Sequence, residues 1–169
     1  MGVQTTYKFA TPIGQPGGIV DGFTPYAVNS FCNEAADGAV KPGMGVVHGT
    51  TPGATVKLPV SASTAAKFEG IVTNRRTNEN TMTGAPIVKE GQTLGVMKYG
   101  CIYGIVAEDV EPAYGDPVYL ITSGDEAGCF TNAAAEQGDS FTTVAVKGQF
   151  NGGVSDGIAP IWLFNQAQA

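Results

Sequence analysis

Catalysis near neutral pH would have to involve His48, the only histidine in the chain. Histidine has an ordinary pKa that suits a general base under these conditions. The sequence neighbours Val47, Gly49 and Thr50 supply no carboxylate to orient the ring, and no nucleophile turn is predicted elsewhere. A Cys–His pair assembled by the fold stays open. The sequence nevertheless predicts no catalytic residue, and a small hydrolase is the weakest of the functional alternatives.

Cysteines and carboxylates are the other side chains that could bind a metal ion. Cys32, Cys101 and Cys129 are widely spaced, odd in number and without a Cys-x-x-Cys pair, so neither a disulfide framework nor a zinc site is predicted. Carboxylates gather at residues 108–111 and 125–126, but their order fits neither a calcium loop of about twelve residues nor a glycosidase pair. We therefore expect folding to need no disulfide, no metal and no cofactor.

Arg75 and Arg76 form the only adjacent basic pair, in a polar segment that also contains Asn74, Thr77 and Asn78. Two neighbouring guanidinium groups on an otherwise acidic chain favour electrostatic contact with an acidic partner. A solvated loop is the alternative interpretation. The pair is therefore a candidate contact site rather than a catalytic one.

The composition predicts an all-β protein. Charged residues make up 14% of the chain, with 24 glycines and 10 prolines, whereas a typical soluble domain has roughly 25% charged residues. Several amphipathic helices would need more Lys, Glu and Arg on their surfaces. The net charge of −6 opposes contact with a phosphate backbone, so nucleic acid is not an expected partner. No signal peptide or apolar run of about 20 residues is recognised, which predicts no membrane association and synthesis in the cytoplasm.

The amino-terminal segment has the alternation of an extended strand. Val3, Thr5, Tyr7 and Phe9 would share one face. The prolines and glycines of residues 12–18 then interrupt any strand ladder. This pattern predicts an extended arm and linker over residues 1–18, followed by a single domain over residues 19–169.

Short β-rich runs separated by glycine-containing turns predict the body. The expected strands cover residues 68–73, 94–99, 102–107, 118–122, 141–149 and 158–164. One short helix is expected at residues 61–67, and a tight hairpin or a glycine bulge at residues 99–102. Together these elements predict a small barrel or a jelly-roll-like sandwich.

Five segments of the chain form a series that resembles the structural cement proteins of tailed-phage heads. They are residues 3–7 (VQTTY), 68–72 (FEGIV), 95–97 (GVM), 110–119 (VEPAYGDPVY) and 163–166 (LFNQ). The resemblance runs over nearly the whole chain and is most specific at residues 110–119. It implies a capsid decoration protein, with no enzymatic activity, on the outer surface of the virion. It also implies that dimers or trimers bind the major capsid protein, bridge neighbouring capsomers and stabilise the head against genome pressure.

The resemblance nominates no site residue by itself, so the expected capsid contacts come from the residues already described. They are Val3, Thr5, Tyr7, Phe9, Arg75 and Arg76. Two further functions share the same composition. A tail or baseplate β-protein is one, and a carbohydrate-binding module is the other. The second would need exposed aromatic side chains, for which the candidates are Tyr99, Tyr103, Tyr119 and Trp162. Their spacing along the predicted strands favours packing in the core or at an interface instead.

Overall fold

Strands dominate the computed structural model, which describes residues 13–22, 24–76, 79–80, 86–136 and 138–164. The strands are β1 (Ala27–Asn33), β2 (Gly45–His48), β3 (Thr55–Lys57), β4 (Phe68–Val72), β5 (Glu79–Asn80), β6 (Pro86–Ile87), β7 (Thr93–Ile105), β8 (Pro117–Ile121), β9 (Phe130–Thr131), β10 (Thr143–Phe150) and β11 (Ile158–Leu163). Within these ranges the only helices are two 3-10 turns, Ala65–Lys67 and Asn74–Arg76. The predicted all-β class is confirmed.

Five of the strands close into a barrel. Their order is β1–β3–β2–β4–β7, and β7 pairs back with β1. The β1–β3 pair is parallel, whereas the other pairs in the ring are antiparallel. The barrel predicted from the sequence is therefore confirmed. Because the ring is closed, none of these strands forms the edge of an open sheet.

Strand β7 belongs to the barrel and also to a second, outer sheet. Its first half pairs with β1 and β4, and its second half, from Gly100 onward, pairs with β11. The outer sheet then continues through β10, β8 and β9. The hairpin predicted at residues 99–102 is wrong, because the strand continues through Gly100. The φ angle of 118° at this glycine permits a bend that other residues rarely adopt.

A register shift in the β1–β7 pairing lies beside this bend. Ala27 pairs with Tyr99, whereas Val28 pairs with Met97. The irregularity agrees with a bulge, the alternative to the hairpin.

Residues 13–20 lie against the side of β7 that β11 leaves open. The Gly17 N–H donates to the Tyr103 carbonyl oxygen at 2.8 Å, and the Tyr103 N–H donates to the Gly18 carbonyl oxygen at 2.9 Å. Part of the predicted linker is thus in contact with the outer sheet. Residues 1–12 lie outside the described residues, so the division of the chain into an arm and a domain stays a prediction.

Alternation along the barrel strands sends side chains into two separate cores. The first core fills the barrel with apolar side chains from all five strands: Phe31, Val46, Val56, Val72, Leu94 and Val96. The neighbouring residues Val47, Ile71 and Met97 face outward and pack against the outer sheet, with Ile102, Leu120, Phe130 and Ile161. Both faces of the barrel wall are therefore covered here, which explains why all five residues of β4 are buried.

An ion pair between a buried carboxylate and a half-buried lysine joins β4 to β7. The Glu69 Oε2 atom lies 2.5 Å from the Lys98 Nζ atom, and the two side chains are 3% and 26% exposed. The Lys98 ammonium group also lies 5.3 Å from the centroid of the Phe31 ring. A carboxylate with so little access to water needs an opposite charge beside it. Lys98 provides that charge.

The helix predicted at residues 61–67 shortens to the 3-10 turn Ala65–Lys67. Thr64 precedes this turn but makes no side-chain capping hydrogen bond. The Ser63 hydroxyl instead accepts the Val60 N–H at 2.9 Å, which stabilises a loop conformation rather than a first helical turn. Strand β4 begins at the next residue, Phe68, so the chain has no room for a second turn.

Candidate functional site

The histidine and the cysteines have unremarkable structural surroundings. His48 is half-buried at the end of β2, with its Nδ1 atom 3.2 Å from the Gly49 carbonyl oxygen. Burial raises the pKa of Cys101 and raises the pKa of Cys129 to about 11, so both thiols stay protonated at neutral pH. In the described ranges, no group of three or more His, Cys, Asp or Glu side chains could hold a metal ion.

Contrary to the prediction that no nucleophile turn occurs, one stretch of the chain has the residue pattern of such a turn. Residues 153–157 read Gly-Val-Ser-Asp-Gly, the order of a hydrolase nucleophile turn. That turn requires a strand followed by a helix, whereas Ser155 lies in a short loop between the two strands β10 and β11. Ser155 and Ile158 exchange backbone hydrogen bonds of 2.8 and 3.1 Å across it. The motif is therefore part of a hairpin and lacks the geometry of a nucleophile.

Several carboxylates bind the backbone of neighbouring loops. The Glu126 Oε1 atom accepts the Glu108 N–H at 2.7 Å, which joins the two acidic clusters seen in the sequence. Hydrogen bonds from the Thr55 hydroxyl and the Thr50 backbone N–H lower the pKa of Glu34. Such carboxylates stabilise loop conformations.

Arg75 lies on the surface in the 3-10 turn Asn74–Arg76, next to Tyr26. Its Nη1 atom donates to the Tyr26 hydroxyl at 3.0 Å, and the guanidinium carbon lies 5.4 Å from the ring centroid. Backbone contact fixes the turn from the other side, since the Asn74 N–H donates to the Gly17 carbonyl oxygen at 3.0 Å. Arg75 is thus held in place while it stays exposed. Arg76 belongs to the same turn, but its side chain lies outside what the structure describes.

The aromatic candidates for carbohydrate binding are largely covered. Tyr103 is buried, and its hydroxyl donates to the Ile13 carbonyl oxygen at 2.9 Å. Burial also raises the pKa of Tyr103. Tyr99, Tyr119 and Trp162 are half-buried.

The described part of the chain has three exposed aromatic side chains, and none of them is among these four candidates. Tyr26 is 38% exposed, Phe164 is 44% exposed and Tyr114 is 74% exposed. Tyr26 precedes β1 in a stretch whose apolar residues follow no clear period, so no pattern in the sequence indicated that its side chain is exposed. Tyr114 stands in the Tyr-Gly-Asp-Pro turn of residues 114–117, where turn composition could have indicated exposure.

The remaining four residues proposed as contacts, Val3, Thr5, Tyr7 and Phe9, lie outside the described residues. The structure therefore brings Arg75 into a defined site with Tyr26 but leaves the predicted contacts of the arm open.

Comparison with known proteins identifies the family. A family model described as "Structural cement protein (E217 gp24/Pam3 gp6)" matches residues 3–163, almost the whole chain. The chain belongs to this phage cement protein family. The resemblance found in the sequence is confirmed, and the cement protein is a structural component of the phage capsid.

A solved structure shares the fold of the cement protein. It is a chain from "The capsid of Myoviridae Phage XM1", with a TM-score of 0.74 and 18% sequence identity over 96% of this chain and 98% of that one. At this identity the likeness concerns the fold. A search of curated proteins finds no match. In the described part of the cement protein, no helix is long and apolar enough to cross a membrane.

Proposed function

We propose that this cement protein binds the outer surface of the capsid through the major capsid protein, bridges neighbouring capsomers and stabilises the head against genome pressure. The family match over residues 3–163 carries the proposal. We also propose that the protein acts as a dimer or trimer. A protein that contacts two or more shell subunits must release all its contacts together, so modest individual contacts give a long residence time.

The closed barrel supports this function by restricting how contacts can form. A ring of five strands has no edge to which a shell protein could add a strand. At the barrel, binding must then use exposed side chains, loops and terminal segments. Arg75, held over Tyr26 on the surface, is such a side chain. The amino-terminal segment is such a terminus.

The direct test mixes the purified protein with capsids that lack it, and measures occupancy by particle density and electron microscopy. Decorated heads should then resist heating better than undecorated heads. Absence of binding would contradict the proposed function. A glycan array and antibody labelling of intact virions would then test the carbohydrate-binding and tail-protein alternatives.

We expect replacement of Arg75 and Arg76 by alanine to weaken capsid binding roughly three- to tenfold and to flatten its dependence on salt. Exposed ion pairs contribute about 0.2–1 kcal/mol each and are screened by salt. The thermal midpoint should change little, because Arg75 is exposed. Occupancy measured across a salt series checks this prediction.

The matched control removes two other exposed positive charges, with Lys41→Ala and Lys67→Ala in one variant. This control variant changes the net charge by the same amount as the Arg75 and Arg76 double variant, but at other positions on the surface. Equal binding losses in the two double variants would assign the effect to net charge and would contradict a specific arginine contact.

We expect deletion of residues 1–10 to leave a folded protein that binds capsids poorly. The described barrel supports this proposal, because its ring of strands is complete between Ala27 and Ile105 without the deleted residues. The alternating residues Val3, Thr5, Tyr7 and Phe9 would pair with a neighbouring subunit or the shell. Thermal midpoint and occupancy of the deletion variant are measured together.

A large fall in the thermal midpoint of the free protein would contradict the prediction that residues 1–10 form an external arm, because an external segment adds little to the stability of an isolated core. A variant with Thr5 and Tyr7 both replaced by aspartate keeps the length of the chain. It should lose binding in the same way as the deletion.

A further inference from the structure

Tyr114 is the most exposed large hydrophobic side chain in the described part of the chain, at 74%. Its hydroxyl makes no hydrogen bond to another described residue. The ring contributes almost nothing to the core, so packing within the monomer does not explain its position. An exposed tyrosine on a fixed backbone is a common form of binding anchor, because the ring offers a large contact area for the loss of few rotatable bonds.

The backbone around Tyr114 forms a closed turn. The Asp116 N–H donates to the Ala113 carbonyl oxygen at 3.2 Å, and the Asp116 Oδ2 atom accepts the Ala113 N–H at 2.9 Å. Gly115 has a φ angle of 91°, which the third residue of a type II turn requires. The hydrogen bond from Ala113 lowers the pKa of Asp116, so the carboxylate stays charged and keeps the turn closed at neutral pH.

The turn is also attached to the outer sheet on two sides. The Gly115 N–H donates to the Phe150 carbonyl oxygen at 2.8 Å, and the Phe150 N–H donates to the Asp116 carbonyl oxygen at 2.9 Å. From the other side, the Asn132 Nδ2 atom donates to Asp116 Oδ2 at 3.0 Å. Phe150 is fully buried. Tyr114 is therefore presented by a backbone that loses little freedom on binding.

The charge of the chain segment that contains the turn indicates the chemistry of the partner. Residues 108–164 contain one basic side chain, Lys147, and nine acidic ones: Glu108, Asp109, Glu111, Asp116, Asp125, Glu126, Glu136, Asp139 and Asp156. Glu111 is exposed three residues before Tyr114. A partner that contacts the turn beside Glu111 and Asp116 should bring positive charge, since like charges in contact are repelled.

We propose that the Tyr114 turn is a second capsid contact, in which the ring enters an apolar pocket of the shell that is rimmed by lysine or arginine. This inference rests on the proposed function, because it assumes that the protein binds the shell. The contact has the opposite charge preference to the Arg75–Arg76 pair. The cement protein thereby has two charged contacts that favour different parts of the shell and fix its orientation.

The test compares capsid binding of wild type, Tyr114→Ala and Tyr114→Phe. We expect Tyr114→Ala to weaken binding about thirtyfold, as for an anchor at the centre of a contact, and Tyr114→Phe to stay within a fewfold of wild type. Val60→Ala is the matched control, since Val60 is 53% exposed. Thermal midpoints should be equal, because the ring is exposed.

A charge reversal tests the chemistry of the rim. Glu111→Lys should weaken binding by about tenfold, whereas Glu90→Lys, an identical change at another exposed glutamate, should not. If wild type binds and Tyr114→Ala binds as well as Val60→Ala does, the Tyr114 contact is wrong. Equal effects of Glu111→Lys and Glu90→Lys on capsid binding would contradict the proposal that lysine or arginine rims the pocket. Failure of wild type to bind would instead contradict the proposed function itself.

Discussion

Replacement of Lys98 by methionine should lower the free energy of unfolding by about 3 kcal/mol. The substitution keeps most of the side-chain volume but removes the charge that lies 2.5 Å from Glu69. The Glu69 side chain is 3% exposed, so its carboxylate would remain in the barrel wall without a partner. For a chain of this length the thermal midpoint should fall by about 10 °C. Denaturant unfolding and thermal scans measure both quantities.

The double variant Glu69→Leu with Lys98→Met separates the unpaired charge from simple loss of packing. Buried ion pairs can often be exchanged for apolar pairs of similar volume at little cost, so the double variant should recover most of the lost stability. Lys67→Met is the control at an exposed lysine. A double variant less stable than Lys98→Met alone would contradict the role of the charge pair.

Replacement of Gly70 by alanine should also destabilise the protein strongly, by about 3–5 kcal/mol. A Cβ atom at this position would lie 2.1 Å from the Met97 carbonyl oxygen, and the φ angle is 146°. The Met97 backbone cannot easily retreat, because β7 is paired with β1 on its other side. Alanine would therefore force apart β4 and β7. In a thermal scan, we expect the variant either to show no cooperative unfolding transition or to unfold at a midpoint more than about 10 °C below that of wild type.

Gly91→Ala is the matched control, because Gly91 also has a positive φ angle, of 76°, but nothing within 4 Å of the added atom. It should cost about 1 kcal/mol, the backbone strain alone. Similar losses in both variants would mean that close approach of β4 and β7 does not limit the residue at position 70.

The local sequence pattern predicted many of the strands, but it did not predict which strands pair to close the barrel. The predicted runs at 68–73, 118–122 and 158–164 correspond to β4, β8 and β11 within one or two residues, because alternation and turn residues are local signals. Of the two alternatives predicted at residues 99–102, the hairpin was wrong for the same reason. A glycine between two apolar runs is typical of a turn, whereas here Gly100 lets one strand serve two sheets.

The part of the candidate site that could be predicted from the sequence is the part that depends on charge alone. Arg75 is exposed as expected, but its partner Tyr26 lies 49 positions away in the chain, and no local pattern connects the two. The same limit applies to Glu69 and Lys98, which meet only because β4 and β7 are neighbours. Tyr114 lies in the segment most specific for the family resemblance, yet its turn is held by hydrogen bonds that join Gly115 and Asp116 to the distant residues Phe150 and Asn132. Contacts of this kind follow from the tertiary fold.

The sharing of β7 has a mechanical consequence for a protein under load. Two domains joined by a flexible linker can be pulled apart without unfolding either of them. Here the barrel and the outer sheet have one strand in common, and Met97 and Ile102 on that strand belong to the same core. A force that separates the two sheets must break pairings of β7 and open this core as well. We therefore expect tension applied to one sheet to reach the other through β7, and the two sheets to unfold together rather than one after the other.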